Sequence, residues 1–347
     1  MERLALQAIT PAALAAQVLG VTLAEARKMI AMVHRGEPVR GSGAVRRTSA
    51  AAVAAAGHVP TLAVRTREAS AIDPFEKLVL VTPDGHAIET VRIPLEVAGR
   101  FTVCVSSQVG CALACAFCAT GRLGLTRNLE VWEIVEQVRS VRATLPVGGK
   151  IHGVVFQGMG EPMANLDRVL AAIEVLCEPC AQGVDARGMT VCTSGNPAGI
   201  RRLAREAPRV RLGLSLGSMV PAIRRSLMPV ERAHSLDLVL EAAAEHARTT
   251  GLSPMWAITL LAGVNDHVDQ ARALAARARA FADTTGVRPR LSIIPYNPIG
   301  GDDPFARADH AATDAFRAVL AEYGLASHRR YSGGSDIAAA CGQLAAR

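Results

Sequence analysis

Four of the chain's eight cysteines fall in one fifteen-residue stretch, CVSSQVGCALACAFC at 104–118. Cys111, Cys115 and Cys118 follow a C-x3-C-x2-C spacing, and Cys104 stands ahead of them outside any ligand spacing. Three thiolates in one loop bind three corners of a metal cluster and leave the fourth without a local protein ligand. A structural zinc site usually wants two pairs of ligands, and ferredoxin spacings bring four cysteines. The pattern predicts a 4Fe–4S cluster with one open iron, at which a small molecule is bound and reduced. Phe117 and the A-T-G after Cys118 supply a tight, apolar loop around it. A zinc site and three plain core thiols are the competing readings.

A second stretch with chemical content is GMGEP at 158–162. Gly160 lets the backbone come close to a ligand, and the Glu161 carboxylate accepts hydrogen bonds from an ammonium group. Alone, such a stretch reads as an ordinary strand-to-helix turn. Cys177 and Cys180 form a C-x2-C in CEPC, but one pair without a partner pair reads as structural. His152, His234 and His246 are scattered singly and suggest no ligand set.

These residues must be carried by regular elements. From about residue 100 the chain alternates short apolar strands with helices: FTVCVSS before EVWEIVEQVRSVRATL, IHGVVFQGMGEP before LDRVLAAIEVLC, GMTVCTSG before AGIRRLAREA. RVRLGLSLGS, MWAITLLAGVND and LSIIPYNP each precede a further helix pattern. Strands apolar on both faces and joined by helices imply a parallel sheet. The units predict an α/β fold, a partial (β/α)6-type barrel over 101–347, with its site at the C-terminal ends of the strands. Ahead of it, residues 76–100 read as a β-hairpin extension turning at Pro83-Asp84-Gly85. Residues 1–75 read as a small Ala-rich helical domain whose loops carry Arg40, Arg46 and Arg47.

Half of the 347 residues are hydrophobic, enough for a sizeable core. No run approaches a membrane span, and the start lacks the pattern of a leader peptide. The expectation is a cytoplasmic protein, whose clustered cysteines then mean metal or redox chemistry rather than disulfide staples. The net charge is +7 and the pI about 9.2. Arginine dominates that surplus, which suits phosphate contact and a nucleic-acid partner; a GC-rich genome would produce the same bias. Aromatics are 3% of residues, so a base-stacking sheet of the RRM type is not indicated.

In order along the chain stand CVSSQVGCALACAFCATG, GMGEP, CTSG (192–195), LSLG (214–217), NDH from 265, IPYNP (294–298) and SDIAAACGQL (335–344). Over about residues 78–347 this set resembles the RlmN/Cfr family of radical S-adenosylmethionine (radical SAM) rRNA adenine methyltransferases, in a divergent, RlmN-like form. The resemblance implies a 4Fe–4S cluster on Cys111, Cys115 and Cys118, with S-adenosylmethionine contacted by Gly160, Glu161, Ser215 and Asn297. Two neighbouring positions depart from the family pattern: Cys192 replaces the first Ser of S-T-S-G, and Gly217 replaces the His of S-L-H.

The resemblance also explains the remaining thiols. Adenine C2 and C8 are electron-poor carbons that cannot attack a methyl sulfonium, so a radical route is needed. It implies that Cys341 is first methylated and that a radical derived from the cofactor then takes a hydrogen from the S-methyl group. The resulting carbon adds to the base, Glu89 in IETV takes the proton, and Cys104 releases the product by a transient disulfide with Cys341. The implied partners are 23S rRNA, tRNA as a second substrate, and an external electron donor such as flavodoxin, with the enzyme a monomer. C2 is the expected position. A Cfr-like C8 activity is the alternative, favoured by Gly334-Ser335-Asp336 where C2 enzymes commonly carry G-D-D. A radical enzyme acting on a non-RNA substrate is the further one.

Overall fold

Ten strands form one mixed sheet in which each strand pairs with its neighbours along the sequence. The computed structural model describes residues 3–345. The first four strands, β1 (Ala63–Ala69), β2 (Glu76–Val81), β3 (Ala87–Pro94) and β4 (Arg100–Cys104), run antiparallel. From β4 onward the sheet is parallel through β5 (Lys150–Phe156), β6 (Met189–Thr193), β7 (Arg211–Ser215), β8 (Met255–Leu260), β9 (Arg290–Pro295) and β10 (Ser327–Arg329). The Pro83-Asp84-Gly85 turn joins β2 to β3, with Gly85 at φ +86°, a conformation open to glycine without a Cβ penalty.

Three helices, α1 (Pro11–Gln17), α2 (Leu23–His34) and α3 (Arg47–Ala56), make the N-terminal module. Thr22 and Glu25 cap α2 reciprocally, satisfying two of the N–H groups that a helix start leaves free. The helical reading of residues 1–75 holds only to Ala56, since residues 63–69 are the sheet's edge strand. That strand is exposed along nearly its whole length, so no apolar face marks it in the sequence.

The crossovers of the parallel sheet are α4 (Val131–Ala143), α5 (Leu166–Cys177), α6 (Pro197–Glu206), α7 (Pro221–Leu227), α8 (Leu236–Thr250), α9 (Val268–Thr285) and α10 (His310–Glu322). Their apolar stripes bury Val154, Phe156, Leu212, Trp256 and Ile293 of the strands, which is why those strands read as continuous apolar runs. The N-terminal module docks on this layer. Arg139 of α4 donates to the Val33 carbonyl at 2.9 Å, and Gln182 pairs with the His34 ring at 2.9 Å. Among the described residues no helix is long and apolar enough to cross a membrane.

After β10 the chain crosses back to the first strands. The Tyr331 hydroxyl and the Gly334 N–H both donate to Asp73, each at 2.9 Å. Asp336 accepts from the Ser70 hydroxyl at 2.7 Å and the Ala71 N–H at 2.8 Å. This return carries Cys341 to the sheet's C-terminal end.

Arg224 of α7 ties two strand ends together there. It is fully buried, pairs with Glu231, and donates to the carbonyls of Leu216 (3.0 Å) and Ser194 (2.6 Å). Removing one member of such a pair strands a buried charge. Arg224→Ala should therefore cost about 3–5 kcal/mol in urea unfolding, and Arg224→Ala combined with Glu231→Ala should recover part of that loss.

Candidate active site

The C-terminal ends of β4 to β9 open into a cleft of about 920 Å³ that contains Cys111, Cys115 and Cys118. A second cavity of about 640 Å³ holds Cys104. Cys118, Thr120, Gln157, Gly158, Cys341 and Gly342 line both, so Cys341 stands in the wall between them.

The loop after β4 folds tightly enough to gather its thiols. The Cys118 N–H donates to the Cys115 carbonyl at 3.1 Å, and the Ala116 N–H donates to Leu227 at 2.9 Å. A Cβ at Gly121 would come within 2.9 Å of the Cys115 backbone, so the A-T-G turn needs its glycine. Burial pushes the Cys111 thiol up to about 11 and the Cys115 thiol up to about 12, the latter aided by repulsion from the two neighbouring sulfurs. Burial raises Cys118 as well. Three thiolates gathered out of water require a cationic partner, and a metal cluster supplies one. Among the described residues no three Cys, His, Asp or Glu side chains are arranged to share a single ion. Three cysteine sulfurs bordering one cleft are the donor set of an iron–sulfur cluster, in which each binds a different iron.

Across the cleft, Gly160 has φ +99°, and a Cβ there would lie 2.8 Å from the Gln108 backbone nitrogen. The Gln108 side chain accepts the Glu161 N–H at 2.8 Å and so fixes the turn. The Glu161 carboxylate accepts from the N–H groups of Met163 (3.0 Å) and Ser194 (2.9 Å). Burial raises its pKa while those backbone donors oppose the rise. Ser215, Gly217 and Cys192 line the same cleft. Gly217 has φ +70°, and a Cβ there would meet the Met228 sulfur at 2.5 Å, so it faces the cleft as backbone. Asn265 of the NDH stretch holds it by donating to its carbonyl at 2.7 Å. Burial raises the Cys192 thiol far above its ordinary range.

In the second cavity, Cys104 ends β4 opposite Val91 of β3. Its thiol is pushed up to about 12, chiefly by burial and further by Cys341, with Arg330 opposing. The Cys341 sulfur accepts from Gln157 Nε2 at 3.3 Å, and Arg330 donates to the Gln157 Oε1 at 3.0 Å. Two residues expected at the site line neither cavity. Asn297 is 1% exposed; its side chain donates to the Ser332 hydroxyl (2.6 Å) and to the Cys341 carbonyl (3.2 Å) and accepts from Arg307 (2.7 Å). Glu89 is 2% exposed, ion-paired with Lys77 at 3.2 Å and covered by the Ala345 N–H at 2.8 Å. It lies on the same face of β3 as Val91, which lines the second cavity. Gln157, Arg330 and Lys77 carry no motif that marks them, although Gln157 directly precedes GMGEP. Cys177 and Cys180, at the end of α5, lie outside both cavities.

A parallel-strand half-barrel with three cysteines at the end of its first parallel strand defines a radical SAM protein, and the radical SAM superfamily model matches residues 105–275. A solved radical SAM methyltransferase from Sphaerobacter thermophilus superposes with a TM-score of 0.88 at 34% identity, covering 99% of this chain and 100% of that one. A protein of Sorangium cellulosum (strain So ce56) named as a probable RNA methyltransferase is 57% identical over 94% of this chain and 88% of its own length. The dual-specificity RNA methyltransferase RlmN of Syntrophobacter fumaroxidans (strain DSM 10017 / MPOB) is 40% identical over 81% of this chain and 79% of its own. The chain belongs to the RlmN-like family of radical SAM RNA methyltransferases.

The close approach at Gly160 is directly testable. Gly160→Ala must displace Gln108 and loosen Glu161, and should lower stability by about 1–3 kcal/mol in a urea titration.

Proposed function

We propose that this chain methylates C2 of adenine in 23S rRNA, and also in tRNA, through an S-methylcysteine on Cys341. The observation that carries the reading is the wall shared by the two cavities. One sulfur, Cys341, faces both the cleft of the three-cysteine loop and the cavity that holds Cys104. A carbon carried on that sulfur needs access to both sides.

Cys111, Cys115 and Cys118 would hold the 4Fe–4S cluster, and Gly160, Glu161 and Ser215 would border S-adenosylmethionine, with Cys192 and Gly217 beside them. Bound there, the two supply a methyl group and one-electron reductive cleavage of a carbon–sulfur bond. The electron comes from an external donor such as a flavodoxin, and the enzyme works as a cytoplasmic monomer. The protein's own groups do the rest. Cys341 bears the one-carbon unit and presents it to the ring, positioned by Gln157 and by the Asn297 amide on its carbonyl. Glu89 takes the ring proton once the Ala345 N–H that covers it moves away. Cys104 gives up its proton and closes a disulfide onto Cys341; the electron pair of the broken sulfur–carbon bond stays with the transferred carbon, which takes a proton and becomes the methyl group of the freed base. Burial keeps Cys104 a neutral thiol until then, and Arg330 is the cation that favours its thiolate.

The test uses anaerobically reconstituted protein, RNA from cells lacking the modification, and S-adenosylmethionine with a deuterated methyl group. Mass spectrometry of the digested RNA should show labelled 2-methyladenosine with the wild type and none with Cys341→Ala. Labelled 8-methyladenosine in its place, or labelling that survives Cys341→Ala, would overturn the reading.

A further inference from the structure

Beyond the two cavities of the active site lies a third, of about 790 Å³, at the ends of β9 and β10. Its walls include Arg307, His310, Arg329 and Arg330. Among the described residues none of these three guanidinium groups is ion-paired with a carboxylate. Arg307 donates to the Tyr296 carbonyl (2.6 Å) and the Asn297 side chain (2.7 Å), Arg330 donates to Gln157 (3.0 Å), and Arg329 lies 3.1 Å from the His310 ring. Asp309 is close in sequence, but it caps α10 by accepting the Ala312 N–H at 2.7 Å and is not part of the wall. Some surface arginines are matched by carboxylates, as in Arg201–Glu245 and Arg277–Asp237. Three unmatched guanidinium groups around one concavity repel one another, and an anion relieves that repulsion.

Tyr331 connects this cavity to the active site. It lines both the basic cavity and the cavity of Cys104 and Cys341. The residue is 65% exposed, yet it is held in place by its hydroxyl on Asp73 and by Phe75, with ring centroids 6.2 Å apart. An exposed, anchored aromatic ring beside a basic cavity presents a stacking surface and a phosphate site in sequence. A nucleotide strand requires both at once, whereas a free anion uses only the second.

We propose that Arg307, Arg329 and His310 form a subsite for a backbone phosphate of the RNA strand flanking the target adenosine, and that Tyr331 stacks on the adjoining base. The subsite rests on the RNA-methylating reading above, and it identifies the edge of the sheet across which the strand enters.

The experiment measures binding of the reconstituted full-length protein to unmodified 23S rRNA transcript by filter retention over a series of KCl concentrations. Arg329→Ala should weaken binding about tenfold and make the slope of log K against log salt shallower by about one. Tyr331→Ala should weaken it about tenfold with little change in slope, while Tyr331→Phe, which keeps the ring and its packing on Phe75 but loses the Asp73 anchor, should weaken it by much less. Arg279→Ala, on an exposed position of α9, should change neither quantity. S-adenosylmethionine binding retained by every variant shows that the fold is intact. Wild-type affinity and slope in Arg329→Ala would overturn the phosphate subsite, and wild-type affinity in Tyr331→Ala would overturn the stacking. A wild-type protein that retains no RNA would overturn this subsite and the RNA-methylating reading together, so the two failures are distinguishable.

Discussion

A cysteine on a segment with almost no regular structure has to be positioned by hydrogen bonds from elsewhere, and the rest of this molecule is arranged around that need. Beyond β10, the only helical element described is a single 3-10 turn at Ser335–Ile337. Cys341 is held from several directions: the Asn297 amide on its carbonyl, Gln157 on its sulfur, and Asp73 and Asp336 clamping the approach. The antiparallel strands β1 to β3 serve the same end, since the connection of β1 to β2 supplies Asp73 and Glu89 of β3 accepts the Ala345 N–H of the tail. Each bond is individually worth only about 1 kcal/mol. Together they fix one sulfur in the boundary between two cavities.

The electrostatics of the site follow from burial. Burial at the strand ends drives Cys104, Cys111, Cys115, Cys118 and Cys192 toward their protonated forms. Under the proposed function, anionic sulfur chemistry there needs a positive partner at each place: a metal cluster for the loop cysteines, Arg330 for Cys104. Arg224 and Glu231 are a different case, a buried pair that neutralises itself and spends its hydrogen bonds on the backbone of neighbouring strands. Charge inside this protein is either structural and paired or directed at a cavity.

The parallel core was legible because strands buried on both faces must be apolar throughout, and the crossover helices must show a stripe. The cysteine loop was legible because ligand spacing is local. The edge strand β1 was not: AVRTREA has no buried face to produce an alternation. IPYNP marks Asn297, yet the structure commits its amide to the tail, a contact 44 residues along the chain. Gln157 meets the Cys341 sulfur across 184 residues, and the Lys77–Glu89 pair depends on the register of β2 against β3. Such contacts are set by topology, to which local pattern is blind. The Gly217 departure is explained by space, because Met228 occupies the volume that a side chain there would need.

The central claim is that Cys104 and Cys341 act on one another across the second cavity. It is tested most directly by mapping disulfides after a single turnover: protein, S-adenosylmethionine, reductant and RNA are mixed anaerobically, quenched with acid, alkylated and digested without further reduction. The account predicts a peptide linking Cys104 to Cys341 that forms only when RNA and S-adenosylmethionine are both present. Methylated RNA formed while both cysteines remain fully alkylatable would contradict it.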